Sequence, residues 1–190
     1  MKRFLLLALF ISAIHLSAQT DQRIYDIIDA VSAERIENDV TKLANFGTRH
    51  TLSDTVSNTR GIGAARRWIK SEFEKTSAAC NSCLTVFFQK DLVKKGANNR
   101  IVKDVEVVNV LAIQKGTKYP NRYIIMSGDI DSRVSDPTNY TDDSPGANDN
   151  ASGMAGTLEA ARVLSKYTFE NSIIYMGLSG EEQGLLAVAV

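Results

Sequence analysis

The spacing of apolar residues changes twice along this chain. Ile24, Ile27, Ile28, Val31, Ile36, Val40, Leu43 and Phe46 recur at steps of three and four, the spacing of one helix face. A slip near Ser32 predicts two helices, or one bent helix, over Gln22 to Phe46, and Gly47 ends the run. Thr48 to Thr59 is polar and reads as a loop. Helical spacing returns over Gly61 to Lys75, with Ala64, Ala65, Trp68, Ile69 and Phe73 on one face. The period then falls to two. Leu84 to Gln89 and Val105 to Ile113 are rich in Val and Phe and predict strands, with a turn over Lys94 to Asn99. Tyr123 to Ser127 and Ser172 to Leu178 are short continuous apolar runs, as buried strands are. Between them lie a long loop, Asp129 to Asn150, with Pro137, Pro145 and Gly146, and a helix over Ala151 to Lys166. A last helix is expected from Gln183.

Strands alternating with helices predict an α/β fold: a mixed, mostly parallel sheet with helices on both faces. Ligands of such sheets bind beyond the carboxyl ends of the strands. Two of those ends are acidic here, Ser127-Gly128-Asp129-Ile130-Asp131 and Ser179-Gly180-Glu181-Glu182. Asp149, at the start of the intervening helix, is expected on the same rim.

Composition narrows the classes. The chain has 190 residues, 44% of them hydrophobic, enough for one core and too few for two comfortable domains. Lys plus Arg and Asp plus Glu are both 22, so no electrostatic reason exists to expect nucleic acid or an anionic membrane surface. The acid is nonetheless concentrated, with six Asp against one Arg between Asp129 and Asp149. Lys2 and Arg3, an apolar run to Leu16 and the small residue Ala18 have the form of a signal peptide over residues 1–18. The expected mature product is secreted or periplasmic, slightly acidic and without stable membrane association. In that oxidising setting, Cys80 and Cys83 of Cys-Asn-Ser-Cys are expected to close a small disulfide, since no second Cys or His pair completes a zinc site.

Carboxylates gathered on one rim repel one another and lose hydration, and a cation offsets both costs. Zinc accepts Asp and Glu oxygens, and an Asp can bridge two metals. Adjacent acids such as Glu181 and Glu182 point in different directions, so one can ligate while the other takes a proton from water. Plainer readings stand beside these. Asn148-Asp149-Asn150 is good turn chemistry. Glu181 and Glu182 would suit a solvated helix start, and Asp129 and Asp131 a solvent-facing or Ca²⁺ loop. His50, the one histidine outside the signal segment, is expected to pack or hydrogen-bond within its loop and not to ligate metal.

Ser127 to Arg133 (SGDIDSR), Pro145 to Gly153 (PGANDNASG) and Gly180 to Leu185 (GEEQGL) together resemble three signatures of the M28 family of zinc aminopeptidases. Phe46 to Thr51 and the Gly61 to Phe73 helix match more loosely. The resemblance implies a partial peptidase catalytic domain over residues 19–190, of zinc-exopeptidase type, with a peptide as substrate and two Zn²⁺ per complete domain. It implies Asp149 as the bridging ligand, followed by a cis peptide to Asn150. It further implies Glu182 as a terminal ligand, Glu181 as general base and Asp131 as the carboxylate that orients the first ligand. That first ligand is commonly His in the family, whereas this chain has Asp129, which brings extra negative charge and no imidazole for Asp131 to orient. Two further ligands, an Asp and a His, are expected downstream of Val190. Two other functions fit the same residues: a non-catalytic relative with a degenerate metal site, and a glutaminyl-cyclase-like transferase.

Overall fold

A computed structural model describes residues 21–186. The expected signal segment lies outside them, as do the last four residues of the expected final helix.

The break near Ser32 is a helix cap. Residues 21–30 belong to a unit of their own, which holds helix α1 (Gln22–Asp29), whose Asp21 cap accepts from Arg23 N–H at 3.0 Å. In the larger unit, helix α2 (Ala33–Ala44) begins after Ser32, whose Oγ accepts from Arg35 N–H at 3.2 Å. Extended backbone at Ser32 allows that cap and interrupts helical spacing. Helix α3 (Gly61–Ala79) buries Ile62, Ala65, Ile69 and Phe73. Its start is fixed by Ser53 Oγ, which accepts from Ile62 N–H at 2.9 Å. At its far end Ser77 Oγ bonds both backbone groups of Leu84, and the Cys80–Cys83 disulfide closes the turn into the sheet.

The sheet holds β1 (Leu84–Val93), β2 (Val105–Gln114), β3 (Tyr119–Asp129) and β4 (Asn171–Leu178) in the order β1-β2-β4-β3. It is mixed α/β as expected, yet only the β3–β4 ladder is parallel; β1–β2 and β2–β4 are antiparallel. The reason lies in the connections. The loop 94–104 joins β1 to β2 as a hairpin, whereas β3 reaches β4 through helix α4 (Ser152–Leu164), the crossover a parallel pair requires.

Alternation along β2 and β4 separates two clusters. Val110, Ala112, Ile173 and Tyr175 join Leu43, Ile69, Phe73, Met154 and Leu158 in one core, so α2, α3 and α4 share one face. Leu111, Ile174 and Met176 form a second cluster on the opposite face. Helices on both faces were expected, but among the described residues the larger unit's helices lie on one. A second expectation also fails: β3 is not a buried strand, since Tyr123, Ile124 and Ile125 are 54%, 51% and 55% exposed. β3 stands at the sheet edge, with no described strand on its outer side. Interior β4, by contrast, is buried along its length. After β4 the chain turns instead of starting a helix. Leu185 and Leu186 donate back to Glu181 and Gly180, and Gly184 takes a left-handed conformation (φ +93°) that ends a helical turn.

Candidate metal centre

Because β3 and β4 run parallel, their carboxyl ends emerge together, Asp129 opposite Leu178. Ile130 N–H extends the ladder with a 2.6 Å bond to Leu178 O. The start of α4 is drawn close over this end. A Cβ on Gly128 would stand 2.4 Å from Met154 N, so glycine is what permits the approach.

Asp149 stands just before α4 and is exposed, in the kinked segment Ala147–Ala151, where Asp149 and Asn150 leave helical backbone angles. The Asp149–Asn150 peptide is cis. Asn150 ties the pieces together. Its Nδ2 donates to Asp129 Oδ2 at 3.0 Å, and its Oδ1 accepts from Gly153 N–H at 2.9 Å. Asp131 is only 1% exposed. Its Oδ2 accepts from Thr51 Oγ1 at 2.7 Å and from Glu182 N–H at 3.2 Å, while Oδ1 finds no partner among the described residues. Burial raises its pKa to about 6, against the hydrogen bonds that lower it.

Glu181 is exposed and Glu182 half-buried. Glu182 Oε2 accepts from Arg133 Nε at 2.5 Å. The Glu181 carboxyl is raised by desolvation first, then by the fields of Glu182, Asp129 and Asp149, with Arg133 opposing. Glu181 therefore lies within the fields of three other acids singled out in the sequence, Asp129, Asp149 and Glu182. No three His, Cys, Asp or Glu side chains among the described residues form a ready metal cage. The donors fit zinc in kind, being carboxylate oxygens whose mutual repulsion a cation would relieve.

Sequence reasoning missed the groups that hold this rim in place. Thr48 to Ser53, read as a polar loop, is buried. Arg49 within it is fully buried and donates to four backbone carbonyls: Nε to Ile130 O at 2.7 Å, Nη1 to Leu43 O at 3.0 Å and Pro145 O at 2.6 Å, and Nη2 to Gly146 O at 3.0 Å. One guanidinium thus clamps the end of β3 to the loop that presents Asp149. Desolvation lowers its pKa to about 10, so it stays cationic at neutral pH. Ser132 Oγ adds a second tie, accepting from Arg49 N–H at 3.1 Å and donating to Ser144 O at 2.6 Å.

His50 stays out of the acidic cluster and serves its loop. Its Nδ1 accepts from Leu52 N–H at 3.0 Å and its Nε2 donates to Pro137 O at 3.0 Å. With the Gln183 amide oxygen turned towards Nε2 at 3.1 Å, the Gln183 nitrogen donates to Pro137 O and Arg100 O. Burial lowers the imidazole pKa, which favours the neutral ring that these bonds use.

A probable zinc metalloprotease of Pyrenophora tritici-repentis is 49% identical over 165 residues, covering 87% of this chain and 34% of its own length. The chain therefore spans about a third of such relatives. Among solved structures, a glutaminyl cyclase of Porphyromonas gingivalis superposes with a TM-score of 0.60 at 20% identity, over 80% of this chain and 49% of that one. A Zn-dependent exopeptidase of Parabacteroides distasonis superposes with a TM-score of 0.59 at 18% identity, over 84% of this chain and 51% of that one. At such identity these two show the fold alone. The model of peptidase family M28 matches residues 109–188, which hold β3, α4, β4 and every acid of the rim, and the chain belongs to that family.

Proposed function

We propose that the protein containing this chain is an exported, zinc-dependent exopeptidase, an aminopeptidase that removes N-terminal residues from peptides. One observation carries the reading: Asp129, Asp149, Glu181 and Glu182 share a rim inside the segment matched to M28, and Glu181 is raised by desolvation first and then by the fields of the other three. Export rests on the signal-like residues 1–18.

Asp149, Glu182 and Asp129 would hold zinc, two ions in the complete domain. Bound zinc supplies Lewis-acid polarisation of the scissile carbonyl and lowers the pKa of water. Glu181 takes a proton from the attacking water and delivers it to the leaving amine, and its raised pKa suits both halves of that task. Asp131 is a positioning residue. Thr51 Oγ1 and Glu182 N–H fix its Oδ2, so it sets the backbone from which Glu181 and Glu182 project. Arg133 offsets the negative charge of Glu182.

The test is hydrolysis of leucine p-nitroanilide by the full-length protein with zinc restored. Glu181→Gln should cut kcat by about 10²–10⁴ while zinc content holds. A second reading, a non-catalytic secreted binding protein, is favoured by the ion pair between Glu182 and Arg133 and by the missing three-donor cage among the described residues. It requires that no amide or peptide substrate turn over at any zinc concentration. Turnover that Glu181→Gln abolishes would sink it.

A further inference from the structure

Away from the acidic rim, a cavity of about 540 Å³ opens between α3 and the β1–β2 hairpin. Ser53, Arg66, Arg67, Phe88, Lys103 and Glu106 are among the residues lining it. Arg66 is 5% exposed, yet among the described residues its Nε and Nη2 have no hydrogen-bond partner. Its one bond is a long one, from Nη1 to Glu106 O at 3.5 Å. A buried guanidinium with two unmet donors costs the fold several kcal/mol, and the burial is tolerated where an anion completes the set.

The two unmet nitrogens are neighbours along one edge of the planar guanidinium. Their N–H bonds run parallel and match the two oxygens of a carboxylate or phosphate. Arginines of this chain use the same pair in that way. Arg162 presents Nε and Nη2 to Glu159, and Arg23 presents them to Asp21.

The chain itself does not fill the fork of Arg66. Lining carboxylates Asp104 and Glu106 are taken by Lys94 and Lys90 at 2.8 and 3.0 Å. Asp131 acts on Arg66 through its field, while its Oδ2 is held by Thr51 and Glu182 N–H. Arg67 is turned to the carbonyls of Thr55, Val56 and Ser57. Lys103, at the mouth, stands 4.1 Å over the Tyr140 ring and adds positive charge.

We propose that this cavity binds a small oxyanion, a carboxylate or a phosphate group, gripped side-on by Nε and Nη2 of Arg66. None of Asp129, Asp149, Glu181 and Glu182 lines this cavity, and the proposal does not depend on the peptidase reading. Nε and Nη2 are sealed from solvent, so the anion enters by a local opening, and binding should be saturable; the parallel pair of N–H donors should favour a two-oxygen anion over chloride.

The experiment is thermal melting of the full-length protein in inorganic phosphate and in acetate, each against sodium chloride of equal ionic strength. Wild type should gain about 3 °C, saturably, with at least one of the two. The gain should persist in Arg67→Met and vanish in Arg66→Met, which should itself melt no lower than wild type without anion. A gain with phosphate alone assigns a phosphate-bearing ligand, and a gain with acetate a carboxylate. No gain with either anion, or an equal gain in Arg66→Met, overturns the proposal and leaves the cavity to water. If Arg66→Met does not fold, Arg66→Lys decides. It keeps the charge without the fork and should lose at least half of the gain, and full retention would overturn side-on binding.

Discussion

Arg49 offers the sharpest test of how the rim is built. Its guanidinium is sealed from solvent and serves four backbone carbonyls on three separate segments: Leu43 at the end of α2, Ile130 past β3, and Pro145 with Gly146 before Asp149. Arg49→Met keeps length and apolar volume but withdraws every donor. Each stranded carbonyl forfeits roughly 1 kcal/mol or more. Against this, the desolvation that lowers the Arg49 pKa to about 10 is no longer borne. The net loss should be about 3–4 kcal/mol, a fall in Tm of about 10 °C. Arg49→Lys keeps the charge but cannot span the same acceptors, and should lose about 2 kcal/mol. Urea unfolding of the full-length protein at pH 7, followed by far-UV circular dichroism, reads both. Since Pro145 and Gly146 precede Asp149, zinc affinity should fall alongside stability in Arg49→Met. A stability loss under about 1 kcal/mol would refute the clamp, meaning that water or neighbouring groups satisfy these carbonyls without the guanidinium.

Three further outcomes are expected. The Asp39 carboxyl is raised to about 6 by burial first and the field of Glu72 second. A folded pKa above the unfolded 3.8 means its contribution is fully present below pH 3.8 and lost as pH rises through about 6; Asp39→Asn should therefore be more stable than wild type by about 1 kcal/mol at pH 7–8, discounted for partial exposure, with the gain gone below pH 4 in urea melts. Gly128→Ala places a methyl 2.4 Å from Met154 N, a backbone atom that cannot swing aside; it should cost about 1–3 kcal/mol in the same melts and weaken zinc binding by shifting Asp129. Cys80 and Cys83 are three positions apart, so their disulfide constrains a very short loop, and the double serine variant should lose no more than about 2 kcal/mol in calorimetry.

Much of the architecture was legible because it depends on near neighbours. Helical spacing placed α2 and α3, and a single slip marked the Ser32 cap. The continuous apolar run of β4 reported its burial correctly, because β4 sits inside the sheet. A similar run in β3 did not, because burial depends on what lies beside a strand, and β3 occupies the edge of the described sheet. Likewise the direction of β2 relative to β4 is set by how the hairpin docks, which no period in the chain records.

The sequence by itself determined the chemistry of the rim. Acids at two strand ends and before the crossover helix are a matter of residue type and order, and parallel β3 and β4 bring those ends to one side. Tertiary structure alone decided what holds them. Arg49 meets Ile130, Pro145 and Gly146 across separations of 81, 96 and 97 residues, and Thr51 meets Asp131 across 80. A polar run such as Thr48 to Ser53 looks solvated in sequence because its partners lie far along the chain. Folding removes its water and replaces it with those partners, and the same desolvation perturbs Arg49, His50 and Asp131.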